Sequence, residues 1–119
     1  MALLSLHLFS CHSFRYKKKI ADDYYLIGVD LKDYLSIDRK LNQGDYIGRI
    51  PAKILEYGIE DSFIVGKSEQ KGLVGYYILN MQKDHDYAHE EDFLIGPLSE
   101  DDYNKYWHDK LKVRLKKPE

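Results

Sequence analysis

Cysteine, proline and glycine are all scarce in this sequence, and each shortage excludes a structural class. Among 119 residues there are one Cys, three Pro and eight Gly. So few prolines and glycines exclude a collagen-like or low-complexity chain. A single cysteine excludes an internal disulfide framework and a zinc site built from several thiolates. The uncharged run formed by the first ten residues is too short to cross a bilayer, which takes about 20 residues.

Aromatic residues, in contrast, are abundant, and the charge is nearly balanced. Aromatic side chains make up 13% of the chain and include 11 tyrosines, and 18 Lys and Arg oppose 20 Asp and Glu. A chain of this length buries under about 70% of its unfolded surface, which suffices for one core. The balance hides a segregation, because both ends are basic while residues 84–102 hold eight acids and no Lys or Arg.

The only cysteine follows directly after the apolar residues 1–10. The sequence Leu8-Phe9-Ser10-Cys11 resembles the lipobox of bacterial lipoproteins, in which a signal peptide is cut before a Cys that then receives lipid. A signal peptide also needs basic residues ahead of its apolar part, and none precedes Arg15. We therefore interpret residues 1–10 as a truncated or partial lipoprotein signal segment and residues 11–119 as a single domain.

This interpretation predicts lipid attachment at Cys11 and a location in the bacterial cell envelope, on the periplasmic or surface face. Basic residues 15–19 would then form a solvated tether just beyond the anchor. The alternative is a cytoplasmic protein with an ordinary amino-terminal segment and a free thiol.

Short aromatic and β-branched runs bounded by polar turns fill the middle of the chain, which is the pattern of antiparallel strands. We predict strands over residues 24–29, 34–37, 46–50, 52–59, 62–67 and 73–81, with a brief edge strand at 93–95. The pair Glu60-Asp61 is suited to a tight turn between two of them. Because no long crossover helix interrupts this stretch, a meander is favoured over a parallel sheet.

Residues 99–112 show the clearest helical pattern. Ser99 is a favourable N-cap, and acids at 100–102 suit the positive end of the helix dipole. An apolar stripe at helical spacing should dock on the sheet through Tyr103, Tyr106, Trp107 and Leu111. The basic tail after residue 112 should either fray or pack only through Val113 and Leu115. The predicted fold class is thus α+β, with an antiparallel meander of four to six strands and one C-terminal helix on a face.

The order of these features resembles an uncharacterised family of small bacterial lipoproteins, catalogued as domain of unknown function 3997. The resemblance covers roughly residues 11–113. It is carried by the early Cys11, Tyr24-Tyr25-Leu26 with Asp30, the segment 48–50, Gly58 followed by 63–67, the segment 76–78, and Gly96-Pro97-Leu98-Ser99. It implies a lipid-anchored domain of sheet and helix. The family has no established activity, cofactor or catalytic residues to carry over.

The segment from Asp84 to Glu91 holds the only cluster of metal-ligand residue types. If this segment is helical, His85 and His89 stand four residues apart on one face, where two imidazoles can share a metal ion. The alternative is that this segment is a solvated acidic loop, and we favour that interpretation over a metal site. Sequence patterns for a catalytic Ser or a phosphate-binding loop are missing. We therefore predict no enzymatic activity, no metal and no cofactor.

Basic runs at both ends, with Tyr16 interleaved, are the one feature that would suit nucleic acid. The net negative charge and the acidic segment argue against it, and we predict no nucleic-acid partner.

Protein binding is the use that these residues suit best. Neighbours on a strand point to opposite faces, so each tyrosine doublet, Tyr24-Tyr25 and Tyr76-Tyr77, should bury one ring and display the other. Tyrosine is enriched at interfaces, and acids such as Glu90, Glu91 and Asp92 would steer a basic partner. We predict a non-enzymatic envelope lipoprotein that binds another protein, such as a toxin or secreted effector that it neutralises as an immunity protein or inhibitor. The alternative is an envelope structural or sensing module with a small ligand or metal at the acidic His segment.

Overall fold

β-branched and aromatic runs form eight strands within residues 16–29 and 33–119, which are the residues that the computed structural model describes. The strands are β1 Tyr16–Ala21, β2 Tyr24–Gly28, β3 Ser36–Lys40, β4 Tyr46–Ile50, β5 Ile54–Glu60, β6 Phe63–Gln70, β7 Leu73–Asn80 and β8 Leu94–Leu98. They form two antiparallel sheets, β1-β2-β3-β4 and β5-β6-β7-β8, each a meander. The predicted α+β class is confirmed, although the strands of the described residues fill two sheets instead of one.

Helical structure lies mainly near the C-terminus. A 3₁₀ turn at Met81–Lys83 and helix α1, Glu90–Phe93, precede a longer C-terminal helix over residues 100–111. The Ser99 hydroxyl caps this helix by accepting a hydrogen bond of 3.1 Å from the backbone N–H of Asp102, which confirms the predicted start. Lys112, in the left-handed conformation, ends it. Among the described residues, no helix combines the length and the apolar character that a bilayer span requires.

The apolar stripe of the C-terminal helix is only partly as predicted. Tyr103 is buried, Trp107 and Leu111 are partly buried against the second sheet, but Tyr106 is 52% exposed. The helix contains a π-helical turn, Asn104–His108. Such a turn has more residues than an α-helical one, so it rotates later side chains away from the expected face. The prediction for Tyr106 was therefore wrong.

A first core fills the space between the two sheets. It is built from buried side chains of the first sheet, including Leu26, Ile37 and Ile50, and of the second sheet, including Ile64 and Leu79. A second core lies on the other face of the second sheet, beneath the C-terminal helix. Its buried members are Val65, Tyr76, Ile78, Tyr103 and Val113. The second sheet is therefore covered on both faces.

This double cover overturns the prediction that each tyrosine doublet displays one ring. Tyr76 belongs to the second core and Tyr77 to the first, and their exposed fractions are only 5% and 7%. The prediction that the two rings point to opposite faces of β7 was correct, but each face of the strand is covered by a core. In the other doublet Tyr24 is buried at 1% exposure and Tyr25 is half-buried.

Most predicted strands are present, with shifted boundaries. The turn between β5 and β6 falls at Asp61-Ser62, one residue later than predicted, and Asp61 adopts a positive φ of 55°. The predicted strand at 34–37 is displaced to β3. The predicted tether at 15–19 was wrong for its described residues, because Lys17, Lys18 and Lys19 belong to β1 and pair with β2.

The C-terminal tail is more firmly placed than predicted. Val113 and Leu115 pack on the second core as expected. In addition, Lys116 and Tyr57 exchange two backbone hydrogen bonds of 2.9 Å, and the Tyr16 hydroxyl donates to the carbonyl of Glu119. The tail therefore contacts an edge strand of each sheet, β5 and β1.

Candidate functional site

The residues predicted to bind a partner fall into different environments. Tyr24 lies in the first core, and Tyr76 stacks on Tyr103 with ring centroids 4.6 Å apart. Tyr25 meets Tyr46 edge-on at 5.3 Å within the first sheet. None of these three rings contributes to a shared site, and the predicted anchor Cys11 lies outside the described residues.

The remaining predicted residues do converge. Glu90, Glu91 and Asp92 are all exposed on α1, directly before β8. Tyr77 is mostly buried, yet it lines the same pocket as Glu90. Burial, and next the Glu90 carboxylate, raise the pKa of the Tyr77 hydroxyl.

Two adjoining pockets form a groove beside β8. One has a volume of about 580 Å³ and the other about 410 Å³, and they share Gln70, Tyr77 and Pro97. At this shared point the Tyr77 hydroxyl donates a hydrogen bond of 3.1 Å to Gln70 Oε1. We call the pair the β8 groove, lined by Gly48, Arg49, Pro51, Ser68, Gln70, Lys71, Leu73, Val74, Gly75, Tyr77, Glu90, Leu94, Gly96, Pro97, Leu98 and Ser99.

Apolar side chains are exposed at and next to the groove. Leu73 and Val74, just after the β6–β7 turn, are 76% and 43% exposed, and Ile95 of β8 is 39% exposed. Exposed apolar side chains that occur singly need no explanation, but Leu73 and Val74 are adjacent and line the same pocket, which indicates a binding surface. The sequence predicted Leu73 and Val74 only as strand residues. The available signal was an apolar pair immediately after a polar turn.

The acidic segment divides into structural and exposed carboxylates. Asp84 is buried against Arg49, and Asp86 lies 3.4 Å from Arg39. The other six are exposed and form two triplets, Glu90-Glu91-Asp92 before β8 and Glu100-Asp101-Asp102 after it. An acidic triplet therefore flanks each end of the strand that borders the groove.

A buried polar network fixes the start of this acidic segment. Asp84 accepts hydrogen bonds from Arg49 Nε at 2.9 Å and from an Arg49 terminal nitrogen at 2.8 Å, and the Arg49 guanidinium stacks on Phe93. The Tyr24 hydroxyl donates a third bond to Asp84, at 2.7 Å. Burial and then this hydrogen bond raise the pKa of Tyr24 well above its usual value. The network ties residue 84, and through Phe93 also α1, to the first sheet.

The condition for a metal site at the two histidines is not met. Residues 84–89 are not helical, so His85 and His89 do not share a helix face. His85 instead accepts a hydrogen bond of 3.2 Å at Nδ1 from the backbone N–H of Tyr87. Within residues 16–29 and 33–119, no group of three His, Cys, Asp or Glu side chains is arranged to hold a metal ion.

The backbone of β8 is poorly suited to pairing with a strand of another chain. Its ladder with β7 shifts register between Tyr76 and Ile78, and Pro97 has no N–H to donate. Irregular pairing and proline are the usual protections of an edge strand. Recognition at this edge therefore falls to side chains of the groove rather than to the backbone.

Comparisons of the chain with protein-family models, with curated proteins and with solved structures gave no match. The resemblance to the small bacterial lipoproteins therefore stays a prediction, and the functional argument depends on the geometry of the groove.

Proposed function

We propose that this chain is a non-enzymatic envelope lipoprotein, anchored through Cys11, that binds a basic protein at the β8 groove. Neutralisation of a toxin or enzyme, as an immunity protein or inhibitor does, is the specific form of this function. The observation that carries the proposal is the exposed apolar pair Leu73 and Val74 in a groove whose bordering strand has an acidic triplet at each end.

The arrangement suits a protein partner for two physical reasons. Interfaces place apolar contacts at the centre and charged residues at the rim. Leu73 and Val74 line the groove, and exposed carboxylates precede and follow its bordering strand β8. Six exposed acids without a neighbouring Lys or Arg along residues 84–102 favour a partner with a basic surface. Complementary charge accelerates encounter and rejects partners of the same sign.

The buried titratable groups near the groove support recognition rather than catalysis. The side chains of Asp84, Arg49 and Tyr24 are hydrogen-bonded to one another. The Tyr77 hydroxyl donates its hydrogen bond to Gln70 Oε1. None of these groups is left poised as a base beside a nucleophile, which is the arrangement that covalent or acid–base catalysis needs.

A capture experiment with matched variants tests the proposal. Full-length chain is used as bait on extracts of the bacterium that encodes it, alongside a groove variant, Leu73→Ser with Val74→Ser. A second variant, Glu90→Gln with Glu91→Gln and Asp92→Asn, removes one acidic triplet. The control variant Glu60→Gln with Asp61→Asn removes exposed acids at the β5–β6 turn.

We expect one basic protein to be retained by the wild type and the control and to be lost from both groove variants. Purified partner should then bind the wild type directly. Retention that is equal for all four chains would contradict a role for the groove.

The proposed anchor is tested separately. Mass spectrometry of the membrane fraction should show lipid on Cys11, with the residues before it removed. A chain that stays in the cytosol with Met1 or Ala2 at its end would overturn the envelope location without bearing on the groove.

A further inference from the structure

The two basic ends of the chain meet on one side of the molecule. The contact between Tyr16 and Glu119 joins the start of β1 to the C-terminal tail, and Lys116 pairs with Tyr57 of β5. We call the exposed cations around this contact the basic pole; they are Lys17, Lys18, Lys19, Arg114, Lys116 and Lys117. The sequence separates the two groups by more than ninety residues, and only the fold brings them together.

Two acids line the pocket at this pole. Asp33 and Glu119 share it with Lys53 and Lys117. Lys17 Nζ lies 5.5 Å from the Tyr46 ring and Lys116 Nζ lies 5.7 Å from the Tyr57 ring. Aromatic rings at these distances hold a cation without neutralising it. The pole therefore keeps its positive charge although the whole chain has a formal charge of −2.

The basic pole and the β8 groove lie at opposite edges. Strand order β5-β6-β7-β8 puts the tail and the groove on the two outer strands of the second sheet. Three inter-strand spacings separate those strands, or about 14 Å. In the first sheet, β1 carries the lysines and Gly48 and Arg49 of β4 line the groove, although the Lys17 side chain reaches the Tyr46 ring at the start of β4. Charge is therefore distributed asymmetrically across the molecule, with basic residues at one pair of edges and acidic residues at the other.

We propose that the basic pole lies against anionic phospholipid, an inference that rests on the proposed lipid anchor at Cys11. Tyr16 is five positions after Cys11, and an extended chain over that distance spans about 17 Å at most. Lysines next to a lipid anchor are attracted by anionic headgroups, and the attraction acts within about one Debye length of the surface. An anchor at Cys11 would keep Tyr16 within about 17 Å of the surface, so the pole can approach the headgroups to within one Debye length.

A pocket of about 370 Å³ in the pole adds apolar contact area. Tyr16, Leu35, Ile54, Leu55 and Pro118 line it, together with Lys53, Lys117, Asp33 and Glu119. Apolar side chains beside lysines suit the boundary between headgroups and acyl chains, where an amphipathic surface settles. With the pole on the membrane, the β8 groove faces away from it and is open to a partner.

The single cysteine allows a direct test on the full chain. A maleimide phospholipid couples Cys11 to vesicles, which reproduces the anchor whether or not the cell attaches lipid there. Vesicles of phosphatidylcholine alone are compared with vesicles that also contain phosphatidylglycerol. A water-soluble amine acetylating reagent is then applied, and modification of each lysine is followed by mass spectrometry.

On phosphatidylglycerol vesicles we expect slower acetylation of Lys17, Lys18, Lys19, Lys116 and Lys117, with Lys83 and Lys105 unchanged. On phosphatidylcholine vesicles all of these lysines should react alike. Equal reaction of the pole on both kinds of vesicle would overturn the inference. Protection of Lys83 and Lys105 instead would overturn it as well, because a different face would then lie on the lipid.

Charge variants provide a second measurement. Lys17→Gln with Lys19→Gln, Lys116→Gln and Lys117→Gln should weaken salt-sensitive binding of the uncoupled chain to phosphatidylglycerol vesicles by roughly tenfold or more. The control replaces four exposed lysines elsewhere, Lys40, Lys83, Lys105 and Lys110, by Gln. An equal loss in both variants would show nonspecific charge attraction and overturn the assignment. Tighter binding of the wild type to an oligonucleotide than to vesicles would reassign the pole to nucleic acid.

These outcomes are distinguishable from failure of the proposed function. Variants of the pole leave the groove intact and should retain the captured partner, and the Leu73 and Val74 variant should retain the acetylation pattern on vesicles. A chain that binds lipid at the pole but captures no partner would refute only the groove.

Discussion

Asp84 is a buried residue whose partners come from distant parts of the chain. Its carboxylate accepts one hydrogen bond from Tyr24 and two from Arg49, and the side chains of Asp84 and Arg49 are 0% and 6% exposed. A buried ion pair contributes little by itself because desolvation offsets the attraction. Removal of one partner is costly, since the other charge then stays buried alone.

Asp84→Asn should therefore lower the free energy of unfolding by about 3–5 kcal/mol, measured by urea denaturation. Asp86→Asn is the matched control, because Asp86 lies at a longer distance of 3.4 Å from its partner Arg39, with 11% of its side chain exposed. The control should cost about 1 kcal/mol. Equal losses in the two variants would contradict a structural role specific to the Asp84 network.

Tyr24 makes stability depend on alkaline pH. Its folded-state pKa is raised above the usual 10.0, mainly by burial and next by the hydrogen bond to Asp84. The unfolded chain therefore loses this proton first, and stability present below pH 10 is lost as the pH rises further. Tyr24→Phe should be less stable by about 1.5–3 kcal/mol at neutral pH, because a hydrogen bond to a charged group is lost.

The difference in unfolding free energy between wild type and Tyr24→Phe should shrink above pH 10, the usual tyrosine pKa. Urea denaturation at several alkaline pH values measures it, and tyrosinate absorbance reports the ionisation directly. A difference that stays constant across this range would show that the Tyr24 proton is not retained by the fold.

Among the elements, the C-terminal helix is held by fewer side chains than its sequence pattern indicates. Tyr103 is 2% exposed and stacks on Tyr76, whereas Trp107 is only partly buried. Tyr103→Ala should cost about 3–5 kcal/mol and Trp107→Ala about 2 kcal/mol. The Tyr103 hydroxyl has no hydrogen-bond partner among the described residues. Tyr103→Phe should consequently leave the urea midpoint unchanged or raise it, and a large loss would contradict this packing.

The docking of the tail on β5 depends on Gly58. A Cβ at Gly58 would overlap the carbonyl oxygen of Arg114 and lie 2.6 Å from Val113 Cγ1. Gly58→Ala should thus displace the tail and destabilise the protein by about 1–3 kcal/mol. In Gly48→Ala the nearest atom would be 4.0 Å away, so this control should be close to neutral. Faster hydrogen exchange at Lys116 in Gly58→Ala alone would confirm the displacement.

At the scale of the whole molecule, the second sheet belongs to both cores. Val65 and Ile64 are neighbours on β6, and they pack in the second and the first core respectively. Loss of either layer exposes one face of the same sheet, so we expect unfolding in a single transition. Trp107, the only tryptophan, reports the helix layer by fluorescence, and far-ultraviolet circular dichroism reports both sheets. Midpoints that differ would show that the helix layer unfolds separately.

Most elements and the exposed acidic triplets could be predicted because their causes are local. β-Branched runs between polar turns form strands, and Ser99 followed by acids starts a helix. The partner-binding residues could be predicted only in part. Glu90, Glu91 and Asp92 are exposed as expected, but Tyr76 is buried, because the position of a second layer over β7 is not encoded in the local pattern.

The sequence by itself determined most of the strands, the C-terminal helix with its N-cap at Ser99, and the segregation of charge along the chain. Only the tertiary structure decided that Asp84 meets Arg49 across 35 positions and that Tyr16 meets Glu119 across 103. It also decided that both faces of the second sheet are covered and that the basic ends form one pole. The physical reason is that local geometry depends on neighbouring residues, whereas burial and charge pairing depend on which distant surfaces exclude water together.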